Sequence, residues 1–282
     1  MNINSSRLFQ LSKYVVYALL AFNVYVFWAE EVLAATVQYS GGVGLAHMID
    51  AYAATIDTAA WVVLLLMFEL ETYVLEDHHY NPFVTRSLQT VRVLCYTFII
   101  YAFYGYIVNL SFIYEALPLA SVSNLCTLVT DGWSYAVDLD EYAAITAANC
   151  SSFSEASSFY RFAGISAVVD ATGLTDIRNL AWVDVINAAV WLLVVVILEI
   201  DVRLQEHNRF DGAVLRISNA FKFVLYSALL LAAVFWGFKG DFVDFWDAFL
   251  WLVAFFFIEL NVVEWRQEIK EHAVQSQPEP TS

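Results

Sequence analysis

Apolar positions along this chain fall into six long runs, at about 12–36, 52–75, 90–115, 180–202, 218–239 and 243–265. Short polar stretches separate most of them, and one long mixed segment separates the third from the fourth. Each run is long enough to approach or exceed the roughly 20 residues that carry an α-helix across a bilayer. None shows the ten-residue alternation of a barrel strand. The pattern predicts an all-α integral membrane protein with six transmembrane helices.

The polar positions inside these runs repeat. Arg7, Gln10, Lys13 and Tyr17 share one spacing with Arg86, Gln89, Arg92 and Tyr96 and with Arg216, Asn219, Lys222 and Tyr226. A second spacing follows each of these: Asp57, Trp61, Glu69 and Glu71; Asn187, Trp191, Glu199 and Asp201; Asp247, Trp251, Glu259 and Asn261. Self-similarity of this kind marks a triplicated unit. The units are a hairpin at 1–76, a hairpin at 80–207 and a hairpin at 210–270, followed by a polar tail at 271–282. All three enter from the same side, so the repeats are parallel and are expected to surround a pseudo-threefold axis. Turn signals fall between the units at Asn81-Pro82 and Asp211-Gly212, and within them at Ser40-Gly41-Gly42 and Gly237 to Asp241. Only the middle unit carries a large insertion, 116–178. Its Ser-, Ala- and Asp-rich composition with an apolar stretch at Ile165 to Val169 suits a cap of short helices between the third and fourth spans.

Composition agrees with a membrane setting, at 60% hydrophobic residues, 17% aromatic and a mean hydropathy of +0.61. The first run could be read as a secretory signal, but its polar positions align with those inside later helices, so it reads as a retained span. With the N-terminus inside, the basic residues cluster on the cytoplasmic side and leave only Arg161, Arg178 and Lys239 outside. This places a multi-pass protein in a cytoplasmic (inner) membrane, with both termini cytoplasmic and the loop 116–178 exterior. Most of the formal net charge of −16 then faces outward. That argues against nucleic acid as a partner and for a small cation as a visitor. Cys126 and Cys150 both fall in the exterior loop and are expected to form a disulfide, whereas Cys95 lies inside the third helix as a packing residue.

Two polar layers are the candidate sites. In each even helix, twelve residue steps separate the outer Asp or Asn from the inner Glu, which is about 18 Å against a hydrocarbon core of roughly 30 Å. Polar groups are therefore placed at or inside the low-dielectric region, where carboxylates need partners. The inner layer is Lys13, Arg92 and Lys222 facing Glu69, Glu199 and Glu259, with Tyr17, Tyr96 and Tyr226 one turn deeper and able to donate to the carboxylates. It reads as a ring of structural ion pairs or as a charged gate. The outer layer is Asp57, Asp184, Asp244 and Asp247 beside an aromatic belt. It reads as a cation vestibule or as carboxylates favoured at helix N-termini.

Glu76-Asp77-His78-His79 and Asp138-Leu139-Asp140-Glu141 lack ligand spacing, so a metal is left unassigned. No phosphate-binding glycine loop, G-x-S-x-G, C-x-x-C or H-E-x-x-H is present, so no cofactor is expected and enzyme activity is disfavoured. Three two-helix repeats are also the plan of mitochondrial carriers, but their proline- and charge-containing signature at the end of each odd helix is absent here. The working expectation is passage or sensing of a small cation along the repeat axis. The alternative is a non-transporting scaffold, accessory subunit or assembly partner. Expected partners are the bilayer, a small cation, and another membrane protein or a second copy.

Overall fold

The computed structural model describes residues 3–39, 41–71, 81–120, 122–156, 158–206 and 212–275. Side chains are described within these ranges except at 3–8, 202, 205–206 and 259–275. The chain is mostly helical. In order come α1 (Ile3–Gln38), the short α2 (Met48–Ala51), α3 (Ala53–Glu69), α4 (Pro82–Tyr114), α5 (Ala171–Glu206), α6 (Gly212–Lys239) and α7 (Phe242–Gln275). The long helices pack in sequence order, α1 on α3, α3 on α4 and so on to α6 on α7, and α7 closes back on α1.

Four helices, α1, α4, α5 and α6, are long and apolar enough to cross a membrane. A fifth joins them if the segment Leu45–Ala51 and α3, which meet at 75°, count as one bent span. Among the described residues α7 falls outside this set; Asp244 stands in its first turn and Asp247 follows three residues later.

The helix starts show why these segments begin where they do. Asn81 accepts hydrogen bonds from the N–H groups of Phe83 and Val84, with Pro82 in the first turn, a local cap that satisfies orphan donors. Asp170 accepts from the Gly173 N–H at the start of α5, and Asp241 accepts from the Asp244 N–H at the start of α7. For α3 the cap is tertiary. The Tyr52 side chain makes no cap hydrogen bond, and Glu31 of α1 takes the Ala54 and Thr55 N–H groups and the Thr55 hydroxyl instead. The tight turn between α6 and α7 passes through Gly240 at φ 91°, a conformation that favours glycine.

Between α4 and α5 the chain forms two short 3-10 helices, Leu125–Asp131 and Ser152–Ser154, as the sequence led one to expect, and also a small sheet that it did not. Its strands are β1 (Leu117–Pro118), β2 (Ser134–Ala136), β3 (Tyr142–Ala144), β4 (Phe159–Arg161) and β5 (Ala167–Asp170), in the order β1-β4-β5-β2-β3. The β5–β2 pair is parallel and the rest are antiparallel. The physical reason lies in β5. Ala167 and Val169 join Leu110, Ile113, Leu174 and Trp236 in a core shared with the helices. Val168 faces the other way, into a satellite core with Leu125, Ile145, Cys150 and Phe159. A run with a hydrophobic cluster on each side satisfies both only at a period of two. The Cys126–Cys150 disulfide closes the satellite core, and Cys95 is a free, buried thiol. The inserted segment ends at Asp170 rather than near 178, because α5 begins at Ala171, nine residues before its apolar run.

The main core lies where α3, α5 and α7 meet α1, α4 and α6. Trp61, Trp191 and Trp251 are 8, 8 and 6% exposed, and their ring centroids stand 5.8, 6.3 and 6.3 Å apart. Leu20, Val194 and Ala254, each fully buried, pack into the same cluster.

Candidate functional site

Polar side chains gather at both ends of the helical bundle, with the tryptophan cluster between them. At the end away from the sheet, three ion pairs form among the described residues. Lys13 of α1 pairs with Glu69 of α3, both nearly sealed from solvent, and the Tyr14 hydroxyl donates to the same carboxylate. Arg92 of α4 shares one terminal guanidinium nitrogen, Nη2, between both oxygens of Glu71 at 2.9 and 2.8 Å, a charge-assisted contact. Lys222 of α6 lies 3.0 Å from Asp201 of α5, and the Ser218 hydroxyl sits 2.6 and 2.8 Å from the two Asp201 oxygens.

Glu71 and Asp201 rather than Glu199 are thus the partners found for Arg92 and Lys222. Glu199 itself is exposed. Around a ring of helices, the basic residue that opens one hairpin meets the acid that ends the hairpin before it. The equivalent acidic position of the last hairpin is Asn261, and Lys13 takes Glu69 within its own hairpin. The side chains of Glu259 and Asn261 lie outside the described residues. The phenol on Glu69 belongs to Tyr14. Tyr17 is buried, with its ring edge-on to Tyr14 at 6.2 Å, while Tyr96 and Tyr226 pack against the main core.

At the sheet end the four expected aspartates divide into two groups. Asp57 accepts the Trp61 indole N–H at 3.1 Å. Asp247 accepts from the Asn23 amide at 2.8 Å and stands beside Trp251 in the same i, i+4 relation. The third member of that series, Asn187, has a buried Oδ1 with no hydrogen-bond partner among the described residues. Asp184 and Asp244 form the second group with Asp241 and Asp140 in electrostatic range. Tyr106 of α4 stands among both groups.

Next to them is a cavity of about 30 Å³ bordered by Glu31, Asp50, Tyr106, Asn109, Asp140 and Asp184, room for one or two water-sized occupants. Gly105 lets α4 approach closely there, since a Cβ would stand 3.2 Å from Ala53 Cβ and from the Ile49 carbonyl oxygen.

Two sheet-segment carboxyls border this region. Although Asp140 as a residue is exposed, desolvation of its carboxyl, followed by the charges of Asp241, Glu30 and Asp138, pushes it up to about 7. Desolvation also raises Asp138, opposed by its bond from the Leu139 N–H. Among the described residues, no three His, Cys, Asp or Glu side chains are arranged to hold a metal ion.

Sequence reasoning overlooked Asn23, Glu31, Tyr14, Tyr106 and Ser218. Glu71 and Asp201 carried a usable signal, because both occupy the last position of the second repeat template. Asn23 carried another, as a polar residue in the middle of an apolar run.

Together these features define a helical, multi-pass membrane protein with polar layers at the two ends of a closed aromatic core. Compared with protein-family models, with curated proteins and with solved structures, the chain matches none.

Proposed function

We propose that this protein is a non-conducting membrane subunit, a scaffold or assembly partner for other membrane proteins. In this reading it is built from three parallel hairpins and six spans about a pseudo-threefold axis. The basic end is cytoplasmic and the disulfide-bearing sheet lies outside the inner membrane. The observation that carries the reading is the tryptophan trio, with Trp61, Trp191 and Trp251 filling the position where a conduction path would run. A pathway needs polar groups along a wet passage. Here Lys13, Arg92 and Lys222 each have an acidic partner, and apolar side chains lie between the two polar layers.

A partner-facing surface is available on α1, where Phe22, Tyr25 and Trp28 are 58, 57 and 48% exposed and stand in a row at 6.0 and 5.8 Å. Rigid aromatics of this kind supply contact area at low entropic cost. The test is flux of sodium, potassium and protons into vesicles containing the purified protein. Flux no greater than in protein-free vesicles is expected, and cation-selective flux from the wild-type protein overturns the reading.

The sheet-end cavity favours a second reading, sensing of a small cation without passage. It places Glu31, Asp50, Asp140 and Asp184 around one small space. Under that reading sodium, potassium or calcium raises the melting temperature of the wild-type protein and not of Asp184→Asn. Equal responses of the two proteins refute it.

A further inference from the structure

Arg178 sits in the third turn of α5, where the helices give way to the sheet. Its guanidinium carbon lies 4.7 Å from the ring centroid of Tyr114, the last residue of α4. Trp182, one turn further along α5, donates its indole N–H to the Tyr114 hydroxyl at 3.0 Å. The tyrosine is thereby held in place under the cation, a cation–π arrangement with its geometry fixed by a neighbour.

Among the described residues no carboxylate pairs with Arg178, and its Nε is buried without a hydrogen-bond partner. Two neighbouring acids, one near Arg178 in sequence and one beside Tyr114, do not serve. Asp176 is held by Lys239, and Glu115, next to Tyr114, makes no ion pair with Arg178. Lys13, Arg92, Lys222 and Lys239 have acidic partners and Arg86, Arg161 and Arg216 are exposed to solvent, so a part-buried arginine without a counter-charge in a chain of net charge −16 calls for an anion from elsewhere. A guanidinium donor without a counter-charge is costly at a membrane boundary.

The surroundings indicate where that anion comes from. Tyr114 and Trp182 are 51 and 45% exposed, so the cluster opens toward the outside of the bundle, away from the cavity and the axis. Tryptophan and tyrosine settle at headgroup depth in a bilayer, and the planar guanidinium fork matches phosphate oxygens.

We propose that Arg178, positioned by Tyr114 and Trp182, binds the phosphate of a phospholipid headgroup in the leaflet on the sheet side. The phosphodiester is the recognised group, so the headgroup beyond it is of secondary importance. This site is independent of whether the protein conducts.

The experiment uses the full chain in detergent, titrated separately with dihexanoyl-phosphatidylglycerol, dihexanoyl-phosphatidylcholine, dihexanoylglycerol and sodium phosphate. Native mass spectrometry counts retained molecules, and thermal melts report stabilisation. Both phospholipids are expected to bind and to raise the melting temperature, and dihexanoylglycerol, which has no phosphate, to do neither. Arg178→Gln is expected to weaken phospholipid binding about tenfold. Arg178→Lys keeps the charge without the fork and is expected to lie between it and wild type. Trp182→Phe, which keeps Arg178 but frees Tyr114, is expected to lose about threefold and guards against misfolding of the arginine variants. Phospholipid binding by Arg178→Gln and Trp182→Phe at wild-type affinity overturns the proposal. So does Arg178-dependent binding of sodium phosphate with no retention of either phospholipid, which assigns the site to a free anion.

Discussion

Lys222 lies 3.0 Å from Asp201, a residue in the last two turns of the preceding helix. The pair therefore joins two hairpins, whereas Lys13 pairs with Glu69 inside one. Ser218 lies on the same carboxylate, so Asp201 serves two donors in a site where both charged side chains are largely buried. Removing one partner leaves the other charge uncompensated. Asp201→Asn is expected to lower unfolding stability by about 3–5 kcal/mol, while Lys222→Met combined with Asp201→Leu returns to within about 1 kcal/mol of wild type. Denaturant titration of the detergent-solubilised variants measures both, and a double variant as unstable as the single one contradicts the pairing.

Glu69 and Glu199 occupy the same repeat position in different surroundings. Glu69 is buried with Lys13 and Tyr14 on one oxygen, while Glu199 is exposed. Glu69→Gln is expected to cost several times more stability than Glu199→Gln, which stays within about 0.5 kcal/mol of wild type, as exposed substitutions usually do. Equal losses contradict the assignment of partners.

Trp251 touches both Trp61 and Trp191, and the three are buried alike. Truncating a buried aromatic costs about 3–5 kcal/mol, so Trp61→Ala, Trp191→Ala and Trp251→Ala are expected to fall in one range. Trp28→Ala, at a position 48% exposed, is expected to lose far less. Melting temperatures of the four variants decide it; a tolerant Trp251→Ala rules out a packed axis.

Cys126 and Cys150 close a loop with a sequence separation of 24, and a cross-link of that span contributes roughly 3 kcal/mol in the chain-entropy account. Reduction, or Cys126→Ser with Cys150→Ser, is expected to speed amide exchange in the sheet segment 116–170 while leaving the helices α3 and α7 unchanged. Free thiol detected at either position in the unreduced protein contradicts the bond.

Asp140 is pushed up to about 7 from 3.8 by desolvation and then by Asp241, Glu30 and Asp138, with Glu31, Asp50 and Asp184 bordering the same cavity. A carboxyl whose folded pKa lies above its unfolded value holds its proton more tightly in the folded protein. Stability therefore falls as pH rises between about 4 and 7 and stays low above. The melting temperature is expected to be higher at pH 5 than at pH 8, and Asp140→Asn to flatten that difference. An unchanged profile in the variant shows that other groups carry it.

Much of this was legible in the chain itself. The spacing of Trp61, Trp191 and Trp251 marked them as equivalent, and the tertiary structure brings them together because α3, α5 and α7 present the same side chain at the same depth. The two thiols were paired by sharing one segment, and the apolar runs marked the helices, since length and hydropathy are local properties.

The partners were not legible. Whether Lys222 reaches Glu199 or Asp201 depends on which helix stands beside α6 and on how the last turns of α5 rotate, which pairing across hairpins decides. Glu31 caps α3 only because α1 and α3 pack side by side. The cap expected to hold short helices has two of them and gained a sheet as well, because Ala167 to Val169 lie between two apolar clusters, and a chain cannot record in local pattern which surfaces will meet it from either side. Spacing along the sequence therefore determined which residues are alike, and packing between helices and sheet decided which residues each of them touches.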